Sequence, residues 1–344
     1  MNNATFNSTI KLHETLWSST EPVIQLTERP TLIEGIPDGI LALIAPVVAY
    51  WTFSLFFYIL DVFKLAEKYR IHPSEEMLKR NKAGRLEVLR EVILQHIIQS
   101  IVGYAAYVFD GPEVTGYELN SMWHLKQWLY RIMGPQLVNT YIPDNYIYYF
   151  YTYGFSCIKI FAAFAFIDTW QFTLHYAMHY YSALYKRFHS RHHQLYVPYA
   201  YGALFNNPFE GFLLDTCGTG IAMLLTRLTQ REQIVLFTLA TLKTVDDHCG
   251  FLLPIDPFQL IFPNNAIYHD IHHQEWGLKF NYAQPFFTFW DTLFGTRFPA
   301  METELKNKNG KSVSIEQYKA FLQNRGKERA EKLAKLKETL AKDN

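Results

Sequence analysis

Residues 39–60, GILALIAPVVAYWTFSLFFYIL, run for 22 positions without a charge. At 1.5 Å per residue, a helix of that length crosses a hydrocarbon core of roughly 30 Å. Pro46 lies inside the run, and a spanning helix tolerates proline better than a soluble one. The run starts too far from Met1, is too long and lacks a preceding basic stretch to be a secretory signal. A second uncharged run covers 92–109. A third, aromatic-rich, covers 145–174 and is interrupted by Lys159 and Asp168. Both predict further spans. Two shorter runs, 211–226 and 233–245, are joined by the polar RLTQRE. Neither crosses the core comfortably alone, so they predict a short or re-entrant hairpin. From Ser314 onward the chain predicts a charged, solvated helix. The whole pattern predicts an all-α integral membrane protein.

Charge in the loops predicts orientation. Residues 61–91 hold eight Lys and Arg and residues 301–344 hold eleven, against two in the first 38 residues and two in 110–148. The basic loop and the tail are expected in the cytosol, with the N-terminus across the membrane. Two sequons, at Asn3 and Asn7, suit a lumenal segment. The formal net charge is zero, which gives no reason to expect nucleic acid. Cys157, Cys217 and Cys249 are scattered without a CxxC, and are expected to be buried thiols rather than a disulfide framework.

Histidine changes the picture. HYAMH holds His175 and His179, HSRHH holds His189, His192 and His193, and HDIHH holds His269, His272 and His273. Residues i and i+4 share a helix face. In HxxHH the first and third histidines therefore point one way and the second lies beside them, so one turn can serve two adjacent metals. His248 in TVDDHCG follows an apolar run, as His175 does, and makes a ninth candidate. His13, His72, His96 and His124 stand alone, although His96 lies inside a predicted span. Nine imidazoles are too many for one tetrahedral zinc. HYAMH lacks the glutamate of a zinc peptidase HExxH. Asp168, Asp246, Asp247 and Asp270 stand nearby and are expected to orient ligating rings. GTGIAM at 218–223 lacks the third glycine of a dinucleotide loop and reads as small-residue helix packing. With no CxxCH and no P-loop, an oxygen-activating site would need electrons from another protein.

HxxxH followed by two HxxHH words resembles the fatty acid hydroxylase and sterol desaturase superfamily of membrane oxygenases. EKYRIHPSEE, VPYAYGALFNNPFEGFLLDTCGTG, TVDDHCG, PNNAIYHDIHHQ and YAQPFFTFWDTLF resemble its fungal sphingoid-base hydroxylase branch, over roughly residues 36–298. The resemblance implies a multi-pass endoplasmic reticulum enzyme with a helical cap on the cytosolic side carrying a di-metal site. It implies a lumenal segment 1–38, a transmembrane region 39–148, a catalytic domain 149–300 and a cytosolic helix 301–344. The implied reaction is hydroxylation at C4 of sphinganine or dihydroceramide. It would use dioxygen, two iron ions, and electrons from NAD(P)H through cytochrome b5 and its reductase; an association with ceramide synthase is a further implied partner. Carried over residue by residue, the ligands are His175, His179, His189, His192, His193, His248, His269, His272 and His273. Zinc in a purified preparation would be a substitution, because cutting an unactivated C–H bond calls for a redox metal. Two departures stand out. Thr244 occupies a position where related hydroxylases have histidine, leaving water or Asp247 to complete one shell. The superfamily's HPxE reads Asn207-Pro208-Phe209-Glu210. A Δ4 desaturase or a sterol or alkane oxidase would share the scaffold, and a histidine-rich metal transporter is the alternative of another class.

Overall fold

The computed structural model describes residues 12–301, 303, 305 and 313–342. Both sequon asparagines, Asn3 and Asn7, lie outside them. Among the described residues three helices are long and apolar enough to cross a membrane: α1 (Asp38–Val62), α2 (Arg85–Asp110) and α3 (Asp144–Tyr180). Each extends an apolar run noted in the sequence. The two shorter runs form α4 (residues 208–226) and α5 (Gln230–Asp247). α5 opens on a capping box between Thr229 and Glu232, a device worth about 1 kcal/mol to a helix.

The α4–α5 hairpin reaches deeper than its apolar runs suggest. At its tip Arg231 pairs with Asp38, at the start of α1, at 2.7 Å. Gln230 bonds to Glu113 and to the Gly111 carbonyl, just past the end of α2. Lys159 of α3 donates to Glu232 and to the Arg227 carbonyl. The tip is thus level with the ends of α1 and α2. The expected short or re-entrant hairpin gives way to two helices that traverse the bundle, α5 packing closely along α1. Hydropathy misses this because polar groups at the helix ends are paired inside the protein.

Below Lys159, α3 continues into a second helical layer. Its first turns pack on residues 12–17 and on the Glu118–Met133 helix, around Leu16, Met122 and Ile147. Buried Lys126 pairs with Asp144 at 2.8 Å. β1 (Thr27–Glu28) and β2 (Val114–Thr115) pair antiparallel, Thr27 opposite Thr115. The 110–148 segment is therefore a folded layer. Tyr146, Tyr149, Tyr153 and Phe155 are exposed along the start of α3, aromatic residues of the kind enriched at a membrane–water boundary.

At the opposite end of the bundle, α6 (Ala266–His273) and α7 (Ile315–Lys342) join a cap. The basic 61–91 loop is woven into it. Ile71 N donates to the Gly250 carbonyl at 2.9 Å, and Leu252 N to the Tyr69 carbonyl at 2.8 Å. Asn81 exchanges two hydrogen bonds with the Val197 backbone, at 2.7 and 2.9 Å. The tail was expected to be solvated, and residues 326–335 are exposed. The first turns of α7 are not: Ile315, Tyr318 and Phe321 are buried in the main apolar core with Ile271 and Phe298. An i, i+3, i+6 apolar stripe at the head of a charged helix was the overlooked sign. Of the cysteines, only Cys249 is buried; Cys157 is exposed and Cys217 half-buried, and all three are free.

Candidate metal centre

Four elements bring nine imidazoles to the cap. α3 ends with His175 and His179, one turn apart. His189, His192 and His193 ride on a 3-10 turn, His189–Gln194. His248 is the C-cap of α5. α6 carries His269, His272 and His273, and is capped by Asn265, whose side chain accepts from Tyr268 N at 3.0 Å. The rings form two groups. His175, His179, His189, His193 and His272 make one; His192, His248, His269 and His273 make the other. Within each group the candidate ligand atoms all lie within 4.8 Å of one another. Each HxxHH word divides as its spacing predicts. His189 and His193 enter the first group and His192 the second; His269 and His273 enter the second and His272 the first. The groups abut, with ring centroids 4.9 Å apart for His193–His273 and 5.5 Å for His189–His192.

Hydrogen bonds from the second ring nitrogen aim most of these rings. The Nδ1–H groups of His175, His248, His272 and His273 donate to the carbonyls of Tyr282, Thr244, Phe280 and Leu195 at 2.7–2.8 Å. His192 donates to the Phe205 carbonyl at 3.1 Å, and His189 to the Glu210 carboxylate. A carbonyl can only accept, so Nδ1 holds the proton and Nε2 is left as a bare lone pair. Those lone pairs converge with one another and with the Nε2 atoms of His193 and His269. His189 Nε2 is 3.0 Å from both His175 and His193 Nε2, and His269 Nε2 is 2.9 Å from His248 and 3.1 Å from His273. His272 Nε2 is buried without a protein partner. Acceptors this close repel one another unless a cation lies among them. The donor set therefore fits two metal ions, one per group. Burial also keeps the rings neutral, as ligands must be: it pushes His192 down to about 4, and His193, His269 and His273 well below the usual histidine range.

None of the four expected carboxylates bonds to any of these nine rings. Asp168 accepts the backbone N–H groups of Phe286 and Phe287, at 3.1 and 2.6 Å. Asp246 accepts from Gln259 at 3.1 Å, and Asp247 pairs with buried Lys243 rather than joining the four-histidine group. Asp270 accepts from His72 at 2.9 and 3.0 Å and from Tyr318 at 2.6 Å. Backbone carbonyls do the orienting instead, which spares the cost of burying more charge. The exception is Glu210, within the Asn207-Pro208-Phe209-Glu210 word. Asp291 acts one layer further out. It accepts from Tyr282 N, Ala283 N and Tyr268 OH at 2.7–3.0 Å, fixing the segment whose carbonyls aim His175 and His272. His72, which stood alone in the sequence, ties the basic loop to α6.

Two cavities meet at the centre. A small chamber is walled by His189, His192, His248 and His269. A larger cavity of about 230 Å³ lies between α1, α2, α4 and α5, and Gln171, Leu204, Asp215, Thr244 and Pro285 wall both. Small residues open it: Gly39, Ala42 and Pro46 on one face of α1, Gly103 and Ala106 on α2. From Gln230 to Thr244, both lining residues of α5, is 14 residues, or about 21 Å of helix.

Residues 160–296 match the fatty acid hydroxylase family, and the chain belongs to it. Within that family it is 60% identical to the sphingolipid C4-hydroxylase SUR2 of Saccharomyces cerevisiae over 323 residues, 94% of this chain and 89% of the relative. It is 42% identical to the sphingolipid C4-hydroxylase sur2 of Schizosaccharomyces pombe, over 79% of this chain and 94% of the relative. It is 36% identical to sphinganine C4-monooxygenase 1 of Arabidopsis thaliana, over 77% and 90%. No solved structure matches the chain.

Proposed function

We propose that this chain hydroxylates C4 of sphinganine or of its N-acylated form, using dioxygen and two iron ions held by the nine histidines. The carrying observation is the pair of converging histidine groups at the end of a cavity that runs through the bundle. Bound iron would supply the dioxygen chemistry that an unactivated methylene demands. The protein's part is positioning. The carbonyls of Phe205, Thr244, Phe280, Tyr282 and Leu195, with Glu210, hold six rings in one tautomer and one orientation. The cavity aligns the lipid. Its lining spans about 21 Å along α5, which suits the carbons beyond C4 of an 18-carbon base, about 18 Å when extended, within a bundle of about bilayer thickness.

The proposed setting is the endoplasmic reticulum membrane, with the N-terminus lumenal and the histidine cap cytosolic. The basic loop, the histidines and α7 share one end of the bundle, as that orientation requires. Electrons would arrive from NAD(P)H through cytochrome b5 and its reductase. Lys186 and Arg187 are exposed beside the first histidine group and offer a basic docking surface. Arg191 does not join them, being paired with Glu87 and Glu91 at 3.3 and 2.8 Å. An association with ceramide synthase would place substrate supply at the same membrane. Lipid mass spectrometry of cells lacking sphingoid C4-hydroxylation, with and without this chain, tests the reading. Restored 4-hydroxysphinganine is expected; a Δ4-unsaturated or unchanged base would overturn it.

A further inference from the structure

Asp215 is a carboxylate on the wall shared by the two cavities, and among the described residues no Lys or Arg lines either of them. The other carboxylates of the small chamber already serve another group: Glu210 accepts from His189 through one oxygen, and Asp247 pairs with Lys243. Asp215 has only Gln171, whose Nε2 donates to Oδ1 at 3.1 Å. Its Oδ2 has no protein donor among the described residues. An acid placed among spanning helices is expensive unless something pairs with it. The backbone also makes room for it. α4 leaves α geometry for one π-helical turn over Phe212–Cys217, the turn that carries Asp215. Such turns widen a helix locally and concentrate at functional sites.

We infer that Asp215, held by Gln171, receives the 2-ammonium of a free sphingoid base, with the 3-hydroxyl as a second donor. The inference rests on the C4-hydroxylation reading and names how that site recognises its substrate. C2 lies two bonds from C4. A cation-recognising group must therefore sit beside the reacting carbon, which is where the chamber places Asp215 relative to His189, His192, His248 and His269. The remaining chain then runs down the apolar cavity. An N-acyl substrate brings a neutral amide to the same place and leaves the carboxylate without a counter-charge.

Full-length wild type, Asp215→Asn and Asp215→Glu are compared in microsomes with sphinganine and with N-acetylsphinganine, and iron is counted per polypeptide. Asp215→Asn is expected to raise KM for sphinganine at least tenfold, with kcat and iron content within threefold of wild type. KM for the N-acetyl compound should move less than threefold, and Asp215→Glu should restore part of the loss. Equal losses on both substrates, a fall in kcat at unchanged KM, or loss of iron would each overturn the inference. Should Asp215→Asn fail to accumulate, Gln171→Leu is the second variant: a rise of about threefold in KM confined to the free base supports the site, and an equal effect on both substrates refutes it. Protection of detergent-purified protein from thermal unfolding separates this inference from the reaction assigned above. Sphinganine should protect wild type and not Asp215→Asn. That result in an enzyme that hydroxylates neither substrate would sink the C4 reading and keep the binding site; equal protection of both proteins would sink the site.

Discussion

Replacing Glu210 should loosen the five-histidine group more than its distance from the lipid suggests. Glu210 is fully buried, accepts the Nδ1–H of His189, and leaves its second oxygen without a partner. His189 Nε2 is 3.0 Å from two other ligand nitrogens, so a rotation of this one ring disturbs three donors. Partners of ligating histidines typically contribute 10–100-fold to metal affinity, about 1.4–2.8 kcal/mol. Glu210→Gln keeps an acceptor for His189, but loses the charge and sets an amide N–H₂ where no acceptor stands. It should weaken metal binding about tenfold. Glu210→Ala frees the ring and its tautomer and should approach a hundredfold. Chelator competition on purified protein measures the affinity, with iron per polypeptide and turnover alongside. Wild-type affinity and turnover in Glu210→Ala would refute the idea that this carboxylate aims His189.

His189→Ala or His272→Ala should abolish product while the protein still accumulates in membranes; full activity in either would remove the two-metal reading. His72 makes a pH prediction. Burial alone would lower its pKa, but Asp270 and then Glu76 outweigh that and raise it to about 10, from 6.5. A raised folded pKa means that its stabilisation is complete below pH 6.5 and is lost as pH rises through 10. Hydrogen-exchange protection factors of residues 70–82 and of the first turns of α7, corrected for the base-catalysed intrinsic rate, should therefore fall between pH 7 and 10 in wild type. A flat profile there, or one identical in His72→Gln, would show that the pair does not stay charged. Reversing the charges of Lys186 and Arg187 should raise the cytochrome b5 concentration needed for half-maximal turnover and reduce its salt dependence, with iron content unchanged. An unaltered dependence would move docking elsewhere on the cap.

Much of the centre is legible in the chain because histidine spacing encodes geometry directly. The division of His189 and His193 from His192, and of His269 and His273 from His272, follows from i, i+4 alone. The supporting groups are less legible. Leu195, Phe205, Thr244, Phe280 and Tyr282 orient rings through their carbonyls, which every residue type possesses. The side-chain alphabet cannot mark them. Asp168 looks like a ring-orienting acid in sequence, yet spends itself on the backbone N–H groups of Phe286 and Phe287, a role that depends on tertiary placement. Hydropathy found α1, α2 and α3. It understated α4 and α5 because Gln230, Arg231 and Glu232 at their tip are satisfied by the segment after α2, Asp38 and Lys159. Charge patterning likewise concealed the buried head of α7. Tyr318 reaches Asp270 there from outside the matched family region.

The central claim is that nine converging histidines form an oxygen-activating centre that acts on the lipid held in the adjoining cavity. The most direct test supplies sphinganine and ¹⁸O₂ to microsomes containing the full chain, in parallel with His189→Ala. One ¹⁸O atom should enter at C4 with wild type and none with the variant. Oxygen drawn from water, a product hydroxylated at another carbon, or undiminished labelling in His189→Ala would contradict it.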